Sequence, residues 1–224
     1  MIKRLLCLAM AILLITGILP LPTLAEALVI QATDFTLDAA DYLEAFPDVN
    51  FRAEVLKFLN TDNGGRTDLS PITDPDKARM ASATQVSFPR AKDIADLTGI
   101  EYFTGMTDLW CDNNRLTELD VSNSPNLSTV NCYNNQLTKL KANTGIRYIH
   151  CYNNLLETLD LSAYDRLLQL YCYNNKLKTL AFPAGSMTTL VHCYNNQLTS
   201  IDLSNAANLV ILYCQNNDFD IWRI

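Results

Sequence analysis

The sequence predicts an α/β solenoid: short parallel strands stacked coil upon coil, with a small helical cap at the N-terminal end. Three observations carry this prediction. The word "NCYNNQL" at 131–137 recurs as "HCYNNLL" at 150–156, "YCYNNKL" at 171–177 and "HCYNNQL" at 192–198, bracketed by "WCDNNRL" at 110–116 and "YCQNNDF" at 213–219. Six of the seven cysteines recur, Cys111, Cys132, Cys151, Cys172, Cys193 and Cys214, separated by 21, 19, 21, 21 and 21 residues. An apolar frame is locked to them, with Leu109, Val130, Ile149, Leu170, Val191 and Leu212 two residues before and Leu116, Leu137, Leu156, Leu177, Leu198 and Phe219 five after. A period near 20 residues marks a unit that cannot bury its apolar face alone and must stack on its neighbours.

Taken in order, residues 1–25 read as a signal peptide: Lys3 and Arg4, the run "LLCLAMAILLITGIL", then small residues in "PTLAEA". Residues 26–82 read as the helical cap. Phe51, Val55, Phe58 and Leu59 fall at i, i+4, i+7 and i+8, one face of an amphipathic helix, and 36–45 predicts a shorter helix before Phe46-Pro47. The stretch "NTDNGGRTDLSP" at 60–71 resembles a decayed calcium loop. Asn60, Asp62 and Gly65 fit ligand and turn positions, but Gly64 and Pro71 stand where carboxylates are needed, so no tight calcium site is expected. The solenoid is placed at 83–224, with an atypical first repeat at 83–105 whose strand is "VSF" and six cysteine-containing coils at 106–224. Trp222 and Ile224 are expected to fold over the last core face.

Across 106–224 the pattern L-x-x-L-x-(L/C)-x-x-N-x-L resembles the leucine-rich repeat, and the cysteine variant looks like bacterial, internalin-like surface proteins. "IADLTGIEYFTGMTDL" at 94–109 is similar to the entry repeat of that group. The resemblance implies a right-handed superhelix with parallel strands on a concave face and irregular or 3-10 chain on the convex side. It also implies that the repeated Asn114, Asn135, Asn154, Asn175, Asn196 and Asn217 turn the chain out of the strand and bond backbone groups of their own and the adjacent coil. Two departures stand out: Thr188 replaces a leucine, and the 132–151 coil is two residues short and lacks the "LD[LV]S" element found at 119, 159 and 201. A tighter convex turn is expected there.

An even number of cysteines in an exported chain invites disulfides, against which Cys is also a small buried residue that can fill one ladder. Ladder neighbours about 4.8 Å apart are close enough to bond, yet their side chains point in parallel, whereas a disulfide needs a dihedral near 90°. Six buried thiols are expected. No metal is expected either, because adjacent residues such as His150 and Cys151 face opposite sides of a strand.

No catalytic grouping, phosphate loop or cofactor motif appears, and the acidic balance, a formal −7, disfavours nucleic acid. The outward strand positions are unusual instead. Trp110, Tyr133, Tyr148, His150, Tyr152, Tyr171, Tyr173, His192, Tyr194 and Tyr213 all alternate with inward residues. Aromatics with one polar edge concentrate in binding patches, and neighbouring rings can also simply stack to hold register. The sequence therefore points to a secreted or cell-surface, monomeric binding module, not an enzyme, with no cofactor and no membrane span in the mature chain. Its partner is an unidentified protein or glycan. The alternative is a structural or vestigial module with no ligand.

Overall fold

The computed structural model describes residues 41–88 and 93–219. The expected signal peptide, residues 26–40 of the helical segment, Trp222 and Ile224 lie outside the described residues. Helices α1 (Tyr42–Ala45), α2 (Val49–Leu59) and α3 (Asp74–Ser82) come first. Each begins on a side-chain cap: Asp41 accepts from the Glu44 amide, Asp48 from those of Asn50 and Phe51, and Thr73 with Asp76 closes a reciprocal capping box. Phe51, Val55 and Leu59 of α2 are buried as the spacing predicts. Phe58 is not; it stays 37% exposed, under the Arg79 guanidinium and 6.0 Å from the Phe103 ring. Arg52 goes inside instead, because its guanidinium donates to the carbonyls of Phe46 (2.7 Å) and Pro47 (3.1 Å) and pairs with Asp68. Edge contacts Phe46–Phe51, Phe51–Phe88 and Phe88–Phe103 carry this packing into the first coil.

The loop after α2 contains its own cation. The Arg66 guanidinium lies 2.7 Å from Asp62 and 2.5 Å from buried Asp76, and it donates to the Leu59 carbonyl. Asn60 holds the backbone of Arg66 through both ends of its amide. The hydrogen bond from Arg66 pulls the Asp62 carboxyl down to about 2, so it stays charged. Gly65 takes the positive φ, 61°, that its place in the turn requires.

Strand β1 (Gln85–Ser87) opens a seven-stranded, wholly parallel sheet. It continues through β2 (Asp108–Trp110), β4 (Thr129–Asn131), β6 (Tyr148–His150), β7 (Gln169–Tyr171), β9 (Leu190–His192) and β11 (Ile211–Tyr213). Register is unbroken, so that Val86, Leu109, Val130, Ile149, Leu170, Val191 and Leu212 form one column. A single core runs from Tyr42 to Ala206.

The other side of the coils holds more strand than the expected irregular chain. Strand β3 (Glu118–Val121) pairs with β5 (Lys139–Ala142), and β8 (Thr179–Ala181) with β10 (Ser200–Asp202). Opposite charges face each other across the first pair, Glu118 with Lys139 at 2.7 Å and Asp120 with Lys141 at 3.8 Å, which favours that register. The "LD[LV]S" aspartates Asp120, Asp160 and Asp202 each accept from an amide two residues on, closing the turns.

The short coil is repaired locally. Asn143 donates to the carbonyls of Ser124 and Leu127 in the preceding coil and accepts from Gly145, and the Tyr164 hydroxyl accepts from the Ala142 amide at 2.8 Å. A cleft of about 650 Å³ remains between Leu140–Gly145 and Asp160–Tyr164. The strand pairing of this side is interrupted there.

Leu170 is fully buried at the centre of β7. Leu170→Ala should cost about 2–5 kcal/mol by loss of buried volume, read as a lower urea midpoint at unchanged slope.

Candidate functional site

In β2, β6, β7 and β9 the middle residue is fully buried and its two neighbours are half-buried, the signature of one core face and one solvent face. The cysteine that follows each strand turns inward. Cys111, Cys132, Cys151, Cys172 and Cys193 are buried, Cys214 is half-buried, and all six are free thiols. Burial pushes the Cys151 and Cys193 thiols up to about 12, so they are protonated and inert in the native protein.

Two asparagines then do different work. The second fixes coil to coil. Asn135 Oδ1 accepts from the Leu116 amide of the preceding coil, while its Nδ2 donates to the carbonyls of Cys111 (3.0 Å) and Cys132 (3.1 Å). Asn154, Asn175, Asn196 and Asn217 repeat this pattern. Asn114 starts it, accepting from Ile94 and donating to Cys111. The backbone reversal assigned to this residue from sequence belongs to the first asparagine. Asn113, Asn134, Asn153, Asn174, Asn195 and Asn216 all sit at φ between 53° and 56°, where Asn is among the few side chains tolerated. Their amides bond one another in a chain, 2.5–2.8 Å apart, along the surface. The doubled letters in every copy were the available signal for two separate roles.

Because successive coils stay in register, identical outward side chains stack. Tyr133, Tyr152, Tyr173 and Tyr194 form a near-parallel column with ring centroids 4.4, 4.4 and 4.5 Å apart. Beside it, His150, Tyr171, His192 and Tyr213 alternate edge to face at 4.7, 4.7 and 4.6 Å. Burial in the stack, then repulsion from neighbouring phenols, raises the Tyr152 and Tyr173 hydroxyls above their ordinary range, so both are neutral. Burial lowers both histidines, and His150 Nδ1 lies 2.6 Å from Asn131 Oδ1. Trp110 and Tyr148, on β2 and β6, are half-buried and pair with no other ring among the described residues. Tyr213 is the most open of the ten candidates, at 47% exposure. Asp112, in the tyrosine column's first position, is buried and accepts from Asn113.

Among the described residues no group of three or more His, Cys, Asp or Glu side chains could hold a metal ion. His150 and His192 stand two strands apart with Tyr171 between them. No helix among those residues is long and apolar enough to cross a membrane.

No family model matches the sequence, and neither does any curated relative. Solved structures do match. Internalin C2 from Listeria monocytogenes is 17% identical with a TM-score of 0.57, covering 81% of this chain and 90% of its own. The functional domain of InlJ from the same organism, described as including a cysteine ladder, is 26% identical with a TM-score of 0.47, covering 81% of this chain and 49% of its own. YopM, a leucine-rich effector from Yersinia pestis, is 30% identical with a TM-score of 0.48 over 51% of this chain. This chain spans about half of the InlJ domain and 33% of YopM. The internalin C2 match places the fold among leucine-rich-repeat solenoids.

Two outcomes follow from this geometry. Thiol titration of the native protein should find Cys214 reacting well before the other five repeat cysteines, with all six reacting after denaturation without reductant. Tyr152 is stacked on both faces, and each such pair contributes about 0.5–1.5 kcal/mol beyond burial, so Tyr152→Ala should cost about 1–3 kcal/mol in urea unfolding. Tyr152→Phe keeps the stack and should stay within about 0.5 kcal/mol of the parent.

Proposed function

We propose that this leucine-rich-repeat solenoid is an exported or surface-exposed binding module, not an enzyme, which recognises a protein or glycan through the aromatic side of its seven-stranded sheet. One observation carries the reading. Ten aromatic or histidine side chains occupy solvent-side positions of adjacent parallel strands or, for Tyr133, Tyr152, Tyr173 and Tyr194, of the chain two residues beyond them, on a scaffold whose interior ladders hold them in register. Rigid aromatics with a polar edge lose little entropy on binding and dominate the energetics of interfaces. Export is supported by the basic–apolar–small pattern of residues 1–25. The leucine-rich-repeat fold itself favours a protein partner, and the continuous sheet face requires no second copy.

A second reading has its own observation. The near-parallel tyrosine stack is a stabilising device in its own right, and a module without a ligand would carry it for register alone.

Protein and glycan arrays probed with the mature chain decide between them. Binding should fall at least about tenfold for Trp110→Ala and for the pair Tyr152→Phe with Tyr173→Phe, both with melting temperatures near the parent's. It should persist for Lys176→Ala, which alters an exposed turn residue beyond the strand. An array with no specific signal, or one indifferent to the aromatic changes, would leave the structural reading standing.

A further inference from the structure

On the side of the coils away from the seven-stranded sheet, one segment has the sequence of a strand and no strand partner. The residue eight positions after each of the first five repeat cysteines is Leu119, Leu140, Leu159, Leu180 or Ile201. Four of these sit in paired strands, β3 with β5 and β8 with β10. Leu159 does not, although side chains over 158–161 alternate as a strand's would: Leu159 and Leu161 are buried, Thr158 and Asp160 exposed. No described residue hydrogen-bonds the backbone of Thr158, Leu159 or Asp160. A cleft lies on each side of the segment, about 650 Å³ toward β5 and about 340 Å³ toward β8, and Asp160 lines both.

The opposite wall of the larger cleft is a strand edge. The Ala142 amide donates to the Tyr164 hydroxyl, and the Ala142 carbonyl accepts from it at 3.4 Å, so both groups leave β5 on the edge turned away from β3. Peptide directions alternate along a strand, which puts the amide and carbonyl of Leu140 on that same edge, within the cleft. Two extended walls thus offer main-chain donors and acceptors to the space between them. The ligand that answers such groups in kind is an extended peptide, which adds itself as a strand.

Charge selects the peptide. β3, "ELDV", already shows which strand suits such a wall: it pairs with "KLKA" of β5, Lys139 level with Glu118 and Lys141 with Asp120. The segment 158–161, "TLDL", repeats the pattern, with Asp160 at the position of Asp120. Asp160 has no cationic partner among the described residues and accepts only from the Ser162 amide, whereas Lys141 and Lys178 on either side are paired with Asp120 and Glu157.

We propose that the larger cleft is a docking slot for an extended segment of a partner protein, which pairs its backbone with 158–161 and Leu140 and sets a basic side chain against Asp160. The slot is separate from the aromatic face and does not depend on that face binding anything.

The probe is the chain's own complement, the capped peptide acetyl-TKLKA-amide, which copies residues 138–142. Amide hydrogen exchange of the full exported chain reads the slot. The amides of Thr158, Leu159 and Asp160 should be unprotected alone and slowed at least about tenfold by saturating peptide, with the β3–β5 amides unchanged. Acetyl-TELEA-amide, and the first peptide N-methylated at its leucine, should bind at least about tenfold more weakly. Asp160→Asn keeps the acceptor for the Ser162 amide, so the thermal midpoint should hold while peptide affinity falls several-fold. Protection of 158–160 in the free monomer, no saturable binding up to about 5 mM peptide, or equal affinity for the acidic peptide would each overturn the slot. So would undiminished affinity in Asp160→Asn, or lost protection in β3, which would mean the peptide had displaced β5. Sedimentation that finds a dimer protecting these amides would give the cleft to a second copy and overturn the partner.

Discussion

Everything in this molecule depends on one amide. A turn that leaves a strand every 20 or so residues would strand peptide groups inside the core, where an unpaired donor or acceptor costs about 1–3 kcal/mol. The asparagine three residues after each cysteine answers this with one acceptor and two donors, shared between its own turn and the coil before it. No apolar side chain could do so, and a carboxylate lacks the donors. The bond is intercoil as well as local, so it also sets register. With register fixed to the residue, the columns of leucine, cysteine and tyrosine follow automatically.

The face inherits its character from that constraint. Strands held at one spacing place like side chains about 4.8 Å apart, close to the separation at which aromatic rings attract. The tyrosine column at 4.4–4.5 Å is what a repeated tyrosine must become on such a scaffold. Stacking has a chemical consequence: the ring faces of Tyr152 and Tyr173 are occupied by their neighbours, and only edges and hydroxyls remain for a partner. The inner thiols follow the same logic, since a small apolar residue fits between coils that the amides hold close.

Most of the architecture was legible because the repeat itself states it. Cysteine spacing gave the coil length, and alternation about each cysteine separated Leu170 and Cys172 from Tyr171 and Tyr173. What stayed hidden was information about pairs of residues in different coils. The charge matching of Glu118 with Lys139 makes strand of a segment read as irregular, and that match is visible only once coils are aligned on the convex side. Arg52 reads as a solvent residue until the open carbonyls of Phe46 and Pro47 appear beside it. Asp112 occupies a tyrosine position yet is buried, which alternation alone does not foresee. The division of labour within each Asn-Asn pair needed backbone angles, although αL tolerance of asparagine was available as a hint.

Repetition and exception therefore carry different kinds of information in this chain. A residue present in every coil has a sufficient cause in packing: the leucines fill the core, the amides close the turns and the tyrosines stack. Such positions have a packing cause whether or not a partner also uses them. The exceptions have local causes. Asn143 and Tyr164 are accounted for by the two residues missing from their coil, whose turn they close. Asn131 likewise departs from the rings of the next four strands, and its buried amide is bonded to the His150 ring at 2.6 Å. The difference between Asn131 and Tyr171 is one of side-chain pairing: a hydrogen bond to His150 in the one, ring packing on His150 and His192 in the other.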